Sequence, residues 1–327
     1  MQYSNKLFVV PQGQIASSNS LVSDGSTIPL NIQWVHIYDS TGKNVDDIFN
    51  KTYPVGVWSS AYDPLTDTTY ALIVAKRTMK DLPPIQLNST SGVLTSNSAT
   101  LNVPAGNYTL DVQVKNSVGT EIIKNAITID IQAVAPLQVT EVSAIANGKA
   151  LAGTAPVSYF FNGQNNPFVS IHISRFADTP NVLILKYVDR NGTPFDPKTG
   201  EIIKRPAAGL NPNPPFLQNL QVYAPDTYVA TDTAMTIKFP LAPFPIASLG
   251  NGFNMYYNIK SSAVLIDSTL SWTSNPSGAF YQGTSDSHYL GVYTPGKYDY
   301  SIRVPMRIEV PGSYQLNVKI LNVVHSE

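Results

Sequence analysis

Apolar and polar residues alternate at every second position through much of this chain, which fits a β-strand with one buried face and does not fit a helix. The alternation is clearest near the C-terminus, where residues 302–310 read IRVPMRIEV and residues 314–320 read YQLNVKI. A Pro-Gly pair separates these two runs, so we interpret them as a hairpin. Residues 108–115 and 127–131 form a second pair of alternating runs. The pattern therefore predicts antiparallel sheets.

A short motif opens one strand in each half of the chain. Residues 103–110 read VPAGNYTL and residues 310–316 read VPGSYQL, so each has a Gly two residues before a Tyr and a Leu two residues after it. Residues 295–298, PGKY, are a looser third copy. The spacing resembles the tyrosine corner of immunoglobulin folds, in which the Tyr hydroxyl bonds to backbone upstream. Leu110 and Leu316 stand where antibody domains carry the second cysteine.

The chain has 327 residues, which is too long for one ordinary core and suits two domains. We predict an all-β protein of two tandem antiparallel β-sandwich domains. Residues 1–133 contain enough alternating runs for an immunoglobulin-like sandwich, with strands expected at 70–76 and 92–103 among others. Residues 134–327 form a larger sandwich, with Pro-rich loop insertions at 206–215 and 239–245 and a strand expected at 217–223.

Composition excludes several classes of function. The 21 Lys and Arg nearly balance the 22 Asp and Glu, so the chain lacks the basic character of a nucleic-acid-binding protein. The absence of Cys excludes disulfides, thiol catalysis and cysteine metal sites. The sequence has no apolar run long enough for a transmembrane helix and opens without a signal-peptide pattern, so we expect that any export leader has been removed.

The sequence offers no catalytic constellation. It contains no nucleophile elbow and no phosphate-binding loop, and its four His are too scattered for a zinc site. His36 and His172 interrupt predicted strands and are expected to be structural, and Asp226 and Asp232 suit turns. Residues 39–47 are rich in oxygen ligands but lack the Gly and Glu of an EF-hand, so a plain turn is the better interpretation. We expect no catalytic residue, metal or cofactor, and an enzyme ranks third among the functions considered.

Aromatic residues suggest where a ligand binds. Trp34 shares a strand face with Leu30 and Ile32 and is expected in the core. Residues 272–293 instead mix aromatic faces with amides and hydroxyls, a composition that suits a sugar ring and its hydroxyl groups. The alternative is that these aromatics simply cover one end of the sandwich. The candidate ligand-binding residues are Trp272, Asn275, Tyr281, Gln282, His288 and Tyr289.

The motifs at 103–110 and 311–316, the IYDSTG turn at 37–42 and the Asn-, Asp-, Ser- and Thr-rich composition together resemble Bacteroidetes surface lipoproteins. The families in question have immunoglobulin-like domains, are uncharacterised and accompany outer-membrane glycan-import systems. The resemblance implies a removed N-terminal lipid anchor, export to the cell surface at the outer membrane, and a polysaccharide or outer-membrane protein as partner. It also implies O-glycosylation at the triplets 39–41, 67–69, 232–234 and 267–269.

The leading hypothesis is a non-catalytic surface module that binds or presents glycan as an accessory to nutrient import. The alternative is a structural or adhesive surface protein, acting as a spacer or assembly partner with no small-molecule ligand. Binding to a polysaccharide, and its loss on substitution of Trp272 or Tyr281, separates these two hypotheses.

Overall fold

The computed structural model describes residues 1–63, 66–140, 142–148, 158–161, 169–204, 219–240, 242–244, 253–266, 280–282 and 298–326. Strands dominate these residues and pair into several mainly antiparallel sheets, which confirms the predicted all-β class. The chain divides into two compact units. The first comprises Met1–Ala61 and Lys76–Pro136, and the second comprises Tyr62–Ala75 and Leu137–Glu327. The domain boundary at residue 133 stays a prediction.

The first unit is built from short strands around one longer sheet. Its helical segments are α1 (Asp46–Asn50) and a 3-10 helix at Ser98–Asn102. Its strands are β1 (Gln2–Tyr3), β2 (Leu7–Pro11), β3 (Leu21–Val22), β4 (Asn31–Asp39), β5 (Tyr53–Trp58), β6 (Arg77–Leu82), β7 (Ile85–Leu87), β8 (Leu94–Ser96), β9 (Gly106–Lys115) and β10 (Thr120–Gln132).

The main sheet of the first unit has the strand order β2-β10-β9-β4. Strand β2 runs parallel to β10, and the other neighbours are antiparallel. Alternation along β9 buries Leu110, Val112 and Val114, which form the centre of the core with residues from the neighbouring strands. Trp34, expected in the core, is only partly buried and packs against it, with its ring centroid 6.1 Å from that of Phe49.

Both tyrosine corners form the predicted hydrogen bond. The Tyr108 hydroxyl donates to the carbonyl oxygen of Pro104 at 2.8 Å, and the Tyr314 hydroxyl donates to that of Val310 at 2.7 Å. Gly312 has a φ of 148°, and a Cβ at this position would lie 2.7 Å from the carbonyl oxygen of Ala177. The second corner therefore requires Gly both for its backbone conformation and for space.

The described part of the second unit contains all the remaining strands and the short helices α2 (Tyr70–Ala75) and α3 (Leu220–Tyr223). Its strands are β11 (Leu137–Val139), β12 (Ser143–Gly148), β13 (Ser158–Phe161), β14 (Val169–Ala177), β15 (Val182–Val188), β16 (Ile202–Lys204), β17 (Val229–Ala230), β18 (Met235–Lys238), β19 (Phe253–Ile259), β20 (Val264–Ile266), β21 (Phe280–Gln282), β22 (Tyr298–Ile308), β23 (Ser313–Ile320) and β24 (Val323–His325).

Two sheets form the body of the second unit. One is seven-stranded, with the order β16-β19-β22-β12-β13-β21 and β11 also paired to β22; the other is five-stranded, with the order β14-β23-β15-β18-β17. Tyr187 of β15 and Tyr257 of β19 are both buried, and their ring centroids are 6.1 Å apart. The two sheets therefore face each other across a shared core, as in a sandwich.

The interpretation of residues 302–320 as a hairpin is wrong. Strand β22 belongs to the seven-stranded sheet and β23 to the five-stranded sheet, so the bend at Pro311 and Gly312 carries the chain from one layer to the other. Each strand alternates as predicted because each has one face on the shared core. Alternation reports burial of a face and does not identify the pairing partner.

Three predicted strands are wholly or partly helical. Residues 70–76 and 217–223 contain the helices α2 and α3, and residues 92–103 divide into β8 and the 3-10 helix. In the last case the side chain of Asn97 accepts a hydrogen bond from the backbone N–H of Ala99 and caps the helix start. The predicted Pro-rich insertion at 206–215 lies outside the described residues.

Candidate functional site

The structure describes two of the six predicted ligand-binding residues. Tyr281 and Gln282 lie in β21, opposite Phe160 and Tyr159 of β13. Strand β21 ends the strand order of the seven-stranded sheet as described. The other predicted ligand-binding residues fall outside the described residues: Trp272, Asn275, His288 and Tyr289.

A register row connects Tyr281 to the middle of the seven-stranded sheet. From the edge inward, Tyr281 lies beside Phe160, Phe160 beside Ile145, Ile145 beside Ser301, and Ser301 beside Asn258. Neighbouring positions in such a row are about 4.8 Å apart. The backbone of Tyr281 and the centre of this sheet therefore belong to one continuous row of paired strands.

Polar and aromatic side chains occupy the outer face of the sheet at the inner end of this row. Along β22, Tyr300, Ile302 and Val304 are buried, while Arg303 lies on the opposite face and is partly exposed. We call this outer surface the Arg303 face and define it by Asn254, Tyr256, Asn258, Ser301 and Arg303.

Arg303 is held between two residues of β19. Its guanidinium carbon lies over the Tyr256 ring, 5.8 Å from the centroid, and its Nε and Nη2 each donate to Asn254 Oδ1 at 3.1 Å. Next to it, the Ser301 hydroxyl donates to Asn258 Oδ1 at 2.6 Å. These contacts fix a planar cation, an aromatic ring and two amides on one sheet face, the kinds of group that bind sugar rings and their hydroxyls.

No family model matches this sequence, and no curated protein matches it significantly. Among solved structures, a SusE-like surface located polysaccharide binding protein from the Bacteroides thetaiotaomicron heparin utilisation locus is 9% identical, with a TM-score of 0.27, over 98% of this chain and 53% of that chain. Extracellular cadherin domains 3–6 of protocadherin gamma B2 are 10% identical, with a TM-score of 0.21, over 98% and 99% of the two chains.

This chain thus spans about half the length of the first of these structures. Similarities with such low TM-scores and identities carry no inference about the fold or the function of this chain.

Two His-carboxylate pairs elsewhere serve local structure. His36 Nδ1 lies 2.7 Å from Asp46 Oδ2, and the other Asp46 oxygen accepts from the backbone N–H of Ile37, which ties α1 to β4. His325 Nε2 lies 2.9 Å from Glu201 Oε2 and fastens the C-terminal strand. Among the residues that the structure describes, no three His, Asp or Glu side chains gather as a metal site requires.

The oxygen-rich loop at 39–47 contains the predicted turn. Asp39 Oδ1 accepts from the backbone N–H groups of Thr41 and Lys43, and Gly42 has a φ of 84°.

Within the described part of the chain, no helix has the length and apolar character needed to cross a membrane.

Sequence reasoning missed the Arg303 face. Its residues lie at positions 254, 256 and 258 of one run and at 301 and 303 of another. Along each run they alternate with buried apolar residues, which project to the other face of the sheet. Alternation therefore places each residue on the outer side of its own strand. It does not show that β19 and β22 are neighbours, and this pairing is what brings Arg303 onto Tyr256.

Proposed function

We propose that this protein is a non-catalytic surface module that binds glycan on the outer face of the seven-stranded sheet. The observation that carries the proposal is the placement of Arg303, whose guanidinium lies over the Tyr256 ring and donates two hydrogen bonds to the side-chain oxygen of Asn254. A sugar ring can lie against such a surface, with amide and guanidinium groups meeting its hydroxyls.

We propose that the predicted ligand-binding residues extend this surface toward the sheet edge. The register row that begins at Asn258 on the Arg303 face ends at Tyr281 in the edge strand of the sheet as described. We propose that Tyr281 belongs to the outer part of the binding surface, and that Trp272, Asn275, Gln282, His288 and Tyr289 contribute further contacts beside it. A long face of this kind suits an extended chain of sugar residues better than a small molecule.

Affinity electrophoresis in gels containing neutral polysaccharides tests the proposal. We expect at least one polysaccharide to retard the wild-type protein, and Tyr256→Ala or Arg303→Gln to weaken binding about tenfold, as loss of one stacking or bidentate contact does. Trp272→Ala and Tyr281→Ala should weaken binding to the same polysaccharide.

Tyr53→Ala is the matched control, because Tyr53 also forms a cation-ring pair, with Lys51 at 5.3 Å, but belongs to the first unit. Thermal unfolding of each variant confirms that it is folded. If no polysaccharide retards the wild type, the protein is better regarded as a structural or adhesive spacer. If only Tyr53→Ala weakens binding, the site is on the first unit and the proposal is overturned.

We further propose that the protein is displayed at the cell surface of the outer membrane and accompanies a nutrient-import system. The composition and the motifs at 103–110 and 311–316 support this placement through their resemblance to Bacteroidetes surface lipoproteins. Fractionation of the source cells, with protease treatment of intact cells, tests it: digestion without lysis is expected of a surface protein.

A further inference from the structure

The five-stranded sheet of the second unit is locally basic. Its strands, β14, β15, β17, β18 and β23, contain no Asp or Glu, but they contain Arg175, Lys186, Lys238 and Lys319 as well as His172. The whole chain, by contrast, has a net charge of −1. Cationic side chains are therefore concentrated in this sheet rather than spread evenly over the molecule.

Three of these cations project from the outer face of the sheet. Lys186, Lys238 and Lys319 alternate with the buried residues Tyr187, Ile237 and Val318. Since the buried residues face the core shared with the seven-stranded sheet, the lysines point away from it.

The register groups Lys186 and Lys319 with neutral polar residues, while Lys238 lies beside Val182, farther along the same sheet face. Lys186 lies beside Asn317, which lies beside His172, and Lys319 lies beside Ser170. Lys186 and Lys319 are diagonal neighbours, roughly 7–8 Å apart at the Cα level. We call this surface the lysine face and define it by Ser170, His172, Lys186, Lys238, Asn317 and Lys319. His172, expected from the sequence to be structural, is exposed on this face.

Nearby carboxylates do not neutralise the lysine face. Asp178 pairs with Arg175 at 2.7 Å, beyond the end of the face. Asp189 is buried and accepts from the backbone N–H groups of Asn191 and Thr193. Within the described part of the chain, none of the three lysines has a carboxylate in ion-pair contact.

An unused acceptor lies among these lysines. The side-chain oxygen of Asn317 is buried and has no hydrogen-bond partner within the described part of the chain. Asn317 lies between His172 and Lys186 in the register, so an unsatisfied amide and a cation are adjacent on this face. Because this oxygen is buried, a ligand on the face would meet the lysine ammonium groups, Ser170 and His172 and not the Asn317 oxygen.

We infer that the lysine face binds a polysaccharide that carries sulfate or carboxylate groups. The ammonium groups would pair with the anionic groups, while Ser170 and His172 meet the hydroxyls between them. A nucleic acid is the less suitable polyanion, because its binding depends on a strongly basic surface and this chain as a whole is nearly neutral. The inference goes beyond the proposed function, since it assigns a second sheet face and a charged class of ligand.

Dextran sulfate and unmodified dextran test the inference, because they share one backbone and differ in charge. We expect the full chain to bind dextran sulfate and not dextran, with affinity that falls as salt is added. The double variant Lys186→Gln with Lys319→Gln should weaken this binding about tenfold or more. Polygalacturonate in place of dextran sulfate shows whether carboxylates are accepted as well as sulfates.

The matched control is Lys198→Gln with Lys204→Gln, which removes the same charge from exposed positions of the second unit outside the lysine face. It should retain affinity for dextran sulfate within about twofold. Equal losses in the two double variants would indicate a general charge effect and overturn the inference, as would an absence of dextran sulfate binding by the wild type.

A single-stranded oligonucleotide of matched charge provides the last comparison. Binding as tight as that of dextran sulfate, lost in the same double variant, would assign the face to nucleic acid and overturn the inference. Neutral polysaccharides distinguish the Arg303 face from the lysine face. The Lys186 and Lys319 substitutions should leave the binding of neutral polysaccharides unchanged, and Tyr256→Ala should leave the binding of dextran sulfate unchanged. Failure of either proposal is therefore visible without failure of the other.

Discussion

Tyr108 and Tyr314 perform the same task in the two units of the chain. Each hydroxyl donates to the carbonyl oxygen four residues upstream, and each is followed two residues later by a fully buried Leu. The contact is local in sequence, so the Gly-x-Tyr-x-Leu spacing alone was sufficient to predict it. A single hydroxyl thus closes each bend where the chain enters a core strand.

Replacing either tyrosine by phenylalanine should lower the free energy of unfolding by about 1 kcal/mol, because one partly buried hydrogen bond is lost while the ring remains. Urea unfolding followed by far-UV circular dichroism measures the loss for Tyr108→Phe and Tyr314→Phe. Tyr38→Phe is the control, since the structure shows no hydrogen bond from the Tyr38 hydroxyl within the described residues. An equal loss in Tyr38→Phe would contradict the role of the corner.

Asp46, in the first unit, accepts hydrogen bonds from two side chains and one backbone N–H group. Burial raises its pKa, but hydrogen bonds from His36, from Asn44 and from the backbone N–H of Ile37 lower it by more, so the pKa lies below its usual value. A carboxyl with a lowered pKa in the folded state stabilises the fold when it is ionised.

We therefore expect Asp46→Asn to lower the free energy of unfolding by about 1 kcal/mol at pH 5. The difference from the wild type should persist down to the ordinary carboxyl pKa of about 3.9 and shrink as the pH falls further, through the folded-state pKa. Unfolding is therefore measured at intervals from pH 5 to pH 2. Asp47→Asn, at the exposed neighbouring position, is the control, and a difference that grows on acidification would contradict the assignment.

Among the elements, long alternating strands were predictable and short helices were not. Strands β9, β22 and β23 overlap their predicted positions because each has one face on a core. The helix α2 has the sequence YALIVA, in which continuous apolar residues fit a buried strand as well as one helical turn. Only its packing distinguishes the two structures, and packing is not encoded within six residues.

The last strand, β24, closes the second unit through several independent contacts. Val323 is fully buried, Arg190 donates its backbone N–H to the Val323 carbonyl, and Asp189 accepts from the backbone N–H of His325. Asn322, immediately before the strand, accepts from the buried Tyr300 hydroxyl. The C-terminal residues are therefore part of the core and its edge.

Truncation after Asn322 should lower the free energy of unfolding by about 3 kcal/mol, from one buried Val side chain and several hydrogen bonds. Chemical denaturation of the truncated and full-length chains measures this difference. Removal of Glu327 alone, which leaves β24 intact, should change the stability by less than about 0.5 kcal/mol. Equal stability of the two truncated forms would show that β24 contributes little.

At the scale of the whole molecule, the buried face of each strand was predictable from the sequence, and the neighbour of each strand in its sheet was not. The alternation at 253–259 and 298–308 assigns an outer face to each of β19 and β22. Only the pairing of these two strands brings Tyr256 under Arg303. In the same way, Lys186 and Lys319 are distant in sequence and become neighbours only because β15 and β23 are adjacent. The two proposed surfaces are therefore products of sheet order, which a single sequence does not reveal.

Residues Tyr62–Ala75 belong to the second unit although they precede most of the first in the chain. Tyr70 packs edge-on against Tyr223, with ring centroids 6.5 Å apart. During synthesis on the ribosome, Tyr70 therefore emerges long before its aromatic partner exists. Residues Tyr62–Ala75 therefore lack their packing partners until the later residues have been translated. The second unit can be completed only after that point.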